Sequence, residues 1–225
     1  MTNKPEDMNV ENVSKFFDGY AEDFSSIYLE DTKKRSYFDK LMDNFFRKDI
    51  QDRHDKTTNF TQSNNNINTI LDIGCGPGHQ VIRFLEQGKQ VTALDVAPSM
   101  LEITKKRVAS MDAEDRFTSV LADYSVHKFD KKFDAACVMG FFDYVEDPVS
   151  VLKKLVSEVN YEIYISIPGN KGFLAIQRKI RYALRNCPLY LYSLESLTQH
   201  LKDAGCYEQA EIIDTERGYY VVIRK

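Results

Sequence analysis

TILDIGCGPG, residues 69–78, is the stretch of this chain that decides the fold. A short apolar run, Thr69–Ile73, leads into three glycines at positions 74, 76 and 78, and Gln80–Gln87 then has a helical pattern that Gly88 ends. Glycines between a strand and a helix permit a tight turn and let a ligand approach the backbone closely. The first amides of the following helix are unpaired and point at such a ligand. The stretch therefore predicts a ligand-binding loop.

A carboxylate downstream of this loop indicates the class of ligand. Asp95 follows Gly74 by 21 residues and ends the next strand, where it can accept two hydrogen bonds from a ribose diol. A dinucleotide fingerprint would need a glycine at position 79, but His79 stands there. Asp72 would repel a pyrophosphate and attract a sulfonium or an ammonium. The spacing favours a cationic adenosyl ligand and disfavours a nicotinamide oxidoreductase.

Strand and helix signals alternate after the loop. Helices are expected to begin near Pro98 and Pro148, and Ser193 is expected to cap a further helix that runs to about Ala204. The expected strands are Thr69–Ile73, Gln90–Leu94, Phe117–Leu121, Phe133–Met139 and Tyr161–Ile167, followed by Glu211–Asp214 and Tyr219–Ile223. This rhythm predicts an α/β fold, a doubly wound sheet of about seven strands that is mostly parallel with an antiparallel C-terminal hairpin.

The residues before the sheet divide into two amphipathic segments and a polar one. Apolar residues recur at helical spacing from Val10 to about Tyr28, and again from Tyr37 to Phe46. Asp49 to Thr69 is polar and contains five asparagines, which favour turns, so it is expected to be a loop. We therefore expect a helical region with an Asn-rich loop over 1–68 and the ligand-binding unit over 69–225, in one domain with an insert at about 169–192.

Composition excludes several classes of protein. Lys+Arg is 30 and Asp+Glu is 34 in 225 residues, a net charge of -4 that argues against a protein that coats nucleic acid. No segment approaches the roughly 20 apolar residues that span a bilayer, and the N-terminus lacks the apolar stretch of a signal peptide. The four cysteines form no C-x-x-C pair. We expect a cytoplasmic protein, with its oligomeric state left open.

Four motifs, in order, resemble the class I S-adenosylmethionine-dependent methyltransferases from about Ile70 to Ile167. LDIGCGPG is similar to the family's first motif and VTALDVAPSML, from Val91, to its second. LADYS, from Leu121, is similar to the third and FDAACVMGFFDYVEDP, from Phe133, to the fourth. The resemblance implies a Rossmann-like fold, S-adenosyl-L-methionine as cofactor and S-adenosyl-L-homocysteine as product.

The resemblance also implies roles for individual residues. Asp95 would bind the ribose, Val96 and Met100 would flank the adenine, Asp123 would bond the adenine amine, and the backbone around Met139 and Gly140 would hold the methionine amino group. YAEDFSSIY, residues 20–28, is similar to the N-terminal helix that covers the cofactor in the small-molecule branch, which implies a helical lid. The expected cofactor contacts are Asp72, Gly74, Cys75, Gly76, Gly78, Asp95, Val96, Met100, Ala122, Asp123, Tyr124, Met139, Gly140, Tyr20 and Tyr28.

Methyl transfer needs an in-line nucleophile and a site without water, so positioning supplies much of the rate. Many relatives carry paired histidines in the fourth motif, where this chain has Asp143 and Tyr144. These two are the candidate catalytic residues, and a base is needed only if the nucleophile must lose a proton. Arg178 and Arg181, with Arg185, share one helical face, which is either solvated or anchors an anionic substrate.

The expected acceptor is an oxygen, nitrogen or carbon atom of a small or medium organic molecule. No Asp/Asn-Pro-Pro-Tyr/Phe segment is present, which counts against the DNA amino-methylating enzymes of this family. Two alternatives remain open at this point: an RNA or protein methyltransferase, and a methyltransferase-like protein that binds the cofactor without catalysis.

Overall fold

The computed structural model describes residues 5–18, 51–172, 175, 178–179, 182–183, 187–215 and 217–225. Seven strands alternate with the helices along the chain. The helices are α1 (Pro5–Asp18), α2 (51–63), α3 (His79–Glu86), α4 (Pro98–Ala109), α5 (Pro148–Glu158) and α6 (Leu194–Asp203). The strands are β1 (Thr69–Ile73), β2 (Gln90–Asp95), β3 (Phe117–Leu121), β4 (Phe133–Val138), β5 (Val159–Pro168), β6 (Ala210–Thr215) and β7 (Gly218–Arg224).

The strands form one sheet in the order β3-β2-β1-β4-β5-β7-β6. Strands β1 to β5 are parallel, while β7 runs antiparallel to both β5 and β6. The predicted fold class is therefore confirmed, including the C-terminal hairpin. The winding direction reverses between β1 and β4, and ligands of open α/β sheets bind in the crevice outside the carboxyl ends of the strands at such a reversal.

Helices cover both faces of the sheet, and successive side chains of β1 pack on opposite faces. Ile70 packs with Val81 and Phe84 of α3 in a buried cluster that also takes in α4. Its neighbour Leu71 packs on the other face with residues of α5 and α6. Parallel strands buried on both faces are continuously apolar in sequence, which is why short runs such as Thr69–Ile73 were recognisable as strands.

Helix α2 occupies most of the stretch that was expected to be an Asn-rich loop, and this prediction is wrong over 51–63. The reason is tertiary. Thr57 Oγ1 lies 2.7 Å from the Tyr220 hydroxyl on β7, and the Phe60 ring stacks 6.0 Å from that of Tyr164 on β5. Packing against the sheet outweighs the weak local preference of a polar segment. The turn is confined to the residues just before β1, where Asn64 accepts a hydrogen bond from the Asn66 amide at 3.0 Å.

The described part of the N-terminal region thus packs as part of the sheet domain. Helix α6 begins as predicted, with the Ser193 hydroxyl accepting the Ser196 amide at 3.1 Å.

No helix among the described residues combines the length and apolarity that a bilayer span requires. Several predictions lie outside the described residues: the helix over 37–46 and the roles of Tyr20, Tyr28, Arg181 and Arg185.

Candidate functional site

The glycine loop lies at the carboxyl end of β1, beside the sheet's reversal point. Gly76 and Gly78 both have left-handed backbone, with φ of 52° and 77°. A Cβ on Gly78 would stand 2.6 Å from the Thr104 side chain, so this position must be glycine for helix α4 to pack. A Cβ on Gly76 would meet nothing within 4 Å among the described residues, so the loop's backbone is open to a ligand there.

Hydrogen bonds fix the loop against β2 and α4. The Gly76 amide donates to Asp95 Oδ2 at 2.8 Å, and the Gly76 carbonyl accepts from Thr104 Oγ1 at 2.9 Å. Arg107 donates to the Pro77 carbonyl at 2.7 Å. The loop is therefore held in place by its own chain, which reduces the ordering that a ligand must impose.

Asp95 is buried at the end of β2, in the position predicted for a ribose-binding acid. Its Oδ1 accepts the Ala97 amide at 2.9 Å and its Oδ2 accepts the Gly76 amide. Burial raises the pKa of Asp95, and the hydrogen bonds from the Ala97 and Gly76 amides oppose that shift. A carboxylate offers about four acceptor positions, so two amide donors leave room for the two hydroxyls of a ribose.

Asp72 is the second buried acid, on β1 directly before the loop. Its side chain is 2% exposed, and Oδ2 has no hydrogen-bond partner among the described residues. Burial raises the pKa of Asp72 to about 7, against the effect of a hydrogen bond from the Cys137 thiol. An unsatisfied buried carboxylate oxygen is costly unless a cation or a donor pairs with it. Asp72 therefore fits a cationic ligand group, as the sequence predicts.

The expected adenine wall is assembled beside Asp95. Met100 is buried against Ala97, and the Phe17 ring of α1 packs on both. The Val96 carbonyl accepts the Ser14 hydroxyl at 2.9 Å, which attaches α1 to this wall. Met100 lies beside Asp95 as expected, but it is only 1% exposed under this packing, so its contact with an adenine stays a prediction.

The third motif contributes less than the resemblance implied. The Asp123 carboxylate accepts the Ser125 amide at 2.8 Å and the Ser125 hydroxyl at 2.7 Å, which closes a turn after β3. The Tyr124 side chain is fully buried and donates to Glu158 at 2.8 Å, and the expected cofactor contact of Tyr124 stays a prediction.

The turn after β4 presents its backbone at the other side of the crevice. Gly140 has a φ of 74°, and its amide donates to the Ser166 hydroxyl of β5 at 2.8 Å. With this amide engaged, the carbonyl oxygens of Met139 and Gly140 are the groups suited to an ammonium, because they are acceptors.

Asp143 and Arg178 form an ion pair with 2.7 Å between Oδ2 and Nη2. The two residues were expected to act separately, one as a base and the other as an anchor for an anionic substrate. Burial raises the pKa of Asp143, and the positive charges of Arg178 and Arg53 oppose that shift. The pairing opposes the rise in the Asp143 pKa, and the Asp143 carboxylate compensates the charge of the Arg178 guanidinium, which stays protonated. Arg178 is therefore not a solvated side chain, and its guanidinium already pairs with Asp143 instead of being free to bind an anionic substrate.

Tyr144 belongs to an aromatic cluster formed by Phe16, Phe17, Tyr144 and Tyr182. The Phe17 and Tyr144 ring centroids are 5.4 Å apart, and those of Phe16 and Tyr182 are 5.6 Å apart. The Tyr144 and Tyr182 hydroxyls lie 3.1 Å apart. Burial raises the pKa of Tyr144, so its hydroxyl is neutral at physiological pH. The aromatic cluster joins α1, the turn after β4 and the insert after β5.

One polar contact of the site could not be read from local motifs. The Asp18 carboxylate at the end of α1 accepts both the Ser99 amide at 3.1 Å and the Ser99 hydroxyl at 2.5 Å. The sequence gives only an indirect indication of this contact. Ala97, the N-cap of α4, has no side chain that can accept an amide hydrogen, which leaves the first turn open to an acceptor from elsewhere in the chain.

Comparisons with known proteins agree with the geometry. Residues 70–160 match the family model described as a methyltransferase domain. A ubiquinone biosynthesis O-methyltransferase of Alkalilimnicola ehrlichii is 24% identical over 53% of this chain and 50% of its own length. A malonyl-[acyl-carrier protein] O-methyltransferase of Priestia megaterium is 23% identical over 86% of this chain and 65% of its own length. The chain thus spans about half to two thirds of these curated relatives.

The solved structures extend the likeness over almost the whole chain. The magnesium protoporphyrin IX methyltransferase of Synechocystis PCC 6803, crystallised with bound SAH, superposes with a TM-score of 0.73 at 16% identity. The match covers 96% of this chain and 97% of that one. Residues 70–160 thus match a methyltransferase domain, and the chain as a whole shares the fold of a methyltransferase that was crystallised with SAH.

Proposed function

We propose that this chain binds S-adenosylmethionine in the crevice at the carboxyl ends of β1, β2 and β4. We further propose that it transfers the methyl group to an oxygen, nitrogen or carbon atom of a small or medium organic molecule. One observation carries the proposal: two buried carboxylates, Asp72 and Asp95, flank a glycine loop whose Gly76 backbone is open. The names of the relatives favour an oxygen as the acceptor atom.

The cofactor's parts fit different residues along the crevice. Asp95 would accept the ribose hydroxyls and Met100 would pack on the adenine. Asp123 lies in the turn after β3, where the resemblance implies a bond to the adenine amine. At the opposite end, the Met139 and Gly140 carbonyls would accept from the ammonium, with the Asp72 carboxylate supplying the compensating charge. The bound cofactor supplies an electrophilic methyl group on a sulfonium.

The chain's own contribution to the chemistry is positioning. The Asp143–Arg178 pair ties the insert to the turn after β4, beside the expected position of the methionine end. The aromatic cluster covers the same point and would exclude water from it. Orientation of an acceptor in such an enclosed site supplies a large part of a methyl transfer rate. We therefore propose Asp143 as a positioning residue and Tyr144 as a neutral hydroxyl that orients the acceptor.

The proposed partner is a small molecule rather than a nucleic acid. The net charge of -4 supports this, because proteins that neutralise phosphates carry a basic excess. Within the described site, Asp143 pairs with Arg178, so the walls near the methyl position present aromatic faces rather than a positive surface.

A substrate screen tests the catalytic part of the proposal. The full chain is incubated with S-adenosylmethionine and a panel of phenols, carboxylic acids, amines and short RNAs, and S-adenosylhomocysteine release is measured. We expect release that depends on one small-molecule class. Release of S-adenosylhomocysteine only with the RNAs would contradict the proposed substrate class. Cofactor binding without any release across a broad panel would contradict the enzymatic role.

A further inference from the structure

The geometry points to Asp18 as a positioning residue that caps helix α4 from another part of the chain. We infer that this contact couples the docking of α1 to the shape of the nucleoside site: when Asp18 binds Ser99, the wall that receives ribose and adenine is complete. The inference rests on the proposed function, because the coupled site is the cofactor site.

Helix α4 lacks a capping side chain in its own sequence. Its N-cap is Ala97, which makes no side-chain cap hydrogen bond, and Pro98 has no amide proton to satisfy. Ser99 therefore presents the first amide that needs an acceptor, and Asp18 supplies it at 3.1 Å together with a 2.5 Å bond from the Ser99 hydroxyl. A carboxylate at a helix N-terminus satisfies an unpaired amide and interacts favourably with the helix dipole.

The capped helix supports three parts of the proposed nucleoside site. The Ala97 amide just before it donates to Asp95 at 2.9 Å. Met100 in its first turn is the residue predicted to flank the adenine, and Thr104 in its second turn donates to the Gly76 carbonyl at 2.9 Å. A shift at the start of α4 would therefore move the ribose acid, the adenine wall and the glycine loop together.

Two further contacts hold α1 in the orientation that places Asp18 next to Ser99. The Ser14 hydroxyl donates to the Val96 carbonyl at 2.9 Å, one turn of helix before Asp18. The Phe17 ring packs on Met100 and stands edge-on to the Tyr144 ring, 5.4 Å away. Phe17 thus touches both the β2 side and the β4 side of the crevice, so α1 lies across its opening. Undocking α1 would remove the cap and uncover the crevice in one movement.

The first arm of the test uses the ligand-free full chain and measures hydrogen exchange at the Ser99 amide. We expect Asp18→Ala to speed exchange there roughly fivefold, the factor equivalent to a cap of about 1 kcal/mol. Asp18→Asn keeps an acceptor oxygen and should restore wild-type exchange within about twofold, since Asn caps as well as Asp. Glu11→Ala is the matched control, because Glu11 lies on the same helix and its ion pair is with Lys15 of that helix.

The second arm measures dissociation of S-adenosylhomocysteine by stopped-flow. We expect Asp18→Ala to raise the dissociation rate roughly fivefold, with Asp18→Asn and Glu11→Ala close to wild type, by the same cap free energy. A structural role unrelated to capping would not be rescued by Asn.

The outcomes separate the inference from the proposed function. If the wild-type chain does not bind S-adenosylhomocysteine, the proposed function fails. Hydrogen exchange at the Ser99 amide still tests whether Asp18 caps α4. Unchanged Ser99 exchange in Asp18→Ala, or failure of Asp18→Asn to restore it, overturns the cap. Faster exchange with an unchanged dissociation rate overturns the coupling to the cofactor site.

Discussion

The Asp95 carboxylate accepts the backbone amide of Gly76 at 2.8 Å, so the acid at the end of β2 and the loop after β1 are bonded to each other across the crevice. Each holds the other in place. The carboxylate orients the loop, and the loop amide helps keep a buried carboxylate charged. Both groups are therefore arranged for a nucleoside before it arrives.

We expect Asp95→Ala to weaken S-adenosylhomocysteine binding by about 2–3 kcal/mol, roughly 30- to 150-fold, because two charge-assisted hydrogen bonds to the ribose are lost. Asp95→Asn keeps one acceptor oxygen and should lose less. Titration calorimetry measures both, with the exposed Asp130→Ala as a control of equal charge change. An Asp95→Ala protein with wild-type affinity would remove the ribose assignment.

A pair of glycine replacements separates backbone strain from steric conflict. Gly78 and Gly88 have nearly equal φ of 77° and 76°, but only Gly78 has a neighbour, Thr104, within 2.6 Å of an added Cβ. Gly88→Ala should cost about 1–2 kcal/mol of unfolding free energy, the strain of left-handed backbone alone. Gly78→Ala should cost clearly more and should also weaken S-adenosylhomocysteine binding. Equal costs in urea unfolding would show that α4 accommodates the added methyl group.

The raised pKa of Asp72, about 7, predicts a pH dependence of stability. The native state holds a proton that the unfolded state releases between about pH 4 and pH 7, so this contribution is complete below pH 4 and is lost as the pH rises through 7. Relative to Asp72→Asn, the wild type should lose about 2–3 kcal/mol of unfolding free energy between pH 5 and pH 8. Urea unfolding of both proteins measures the difference. Parallel curves would show that Asp72 titrates normally.

The same carboxyl group should release a proton when a cationic ligand binds. At pH 6 the Asp72 carboxyl is mostly protonated in the free protein, and an ammonium nearby favours its charged form. Calorimetry of S-adenosylhomocysteine binding in buffers of different ionisation enthalpy should detect proton release that Asp72→Asn abolishes. Equal proton release from the variant would assign the proton to another group.

The Asp143–Arg178 pair yields a prediction that separates a base from a positioning residue. Asp143→Asn or Arg178→Gln alone leaves a buried charge without its partner, which costs roughly 3–5 kcal/mol of stability. The double replacement should recover much of that loss and keep most of the turnover once an acceptor is known. A general base would behave differently, because Asp143→Asn would then reduce turnover roughly 10²- to 10⁴-fold in the single and double variants alike.

The strands of the sheet and the cofactor loop could be predicted because local sequence largely determines them. Thr69–Ile73 and Phe117–Leu121 lie where the apolar runs place them, and Asp95 ends its strand 21 residues after Gly74. Strand ends, glycine turns and helix caps each depend on a few neighbouring residues. Their alternation then leaves few ways to wind the sheet.

The missed features depend on residues that are distant in sequence. Asp143 and Arg178 are 35 positions apart, and Asp18 and Ser99 are 81 apart. No local sequence pattern predicts such pairs. The polar segment over 51–63 forms a helix because Thr57 and Phe60 contact β7 and β5. The Tyr124 ring packs in the core, and Glu158 accepts its hydroxyl.

Titration calorimetry of the full chain with S-adenosylmethionine, S-adenosylhomocysteine and NAD tests the central claim most directly. The two adenosyl ligands share the nucleoside and the amino acid that Asp95 and Asp72 are proposed to receive. NAD bound in the same crevice would place a pyrophosphate near the Asp72 carboxylate, which would repel it. We predict saturable binding of S-adenosylmethionine and S-adenosylhomocysteine at one site, and none of NAD at the same concentrations. Binding of NAD, or of none of the three, would contradict the account.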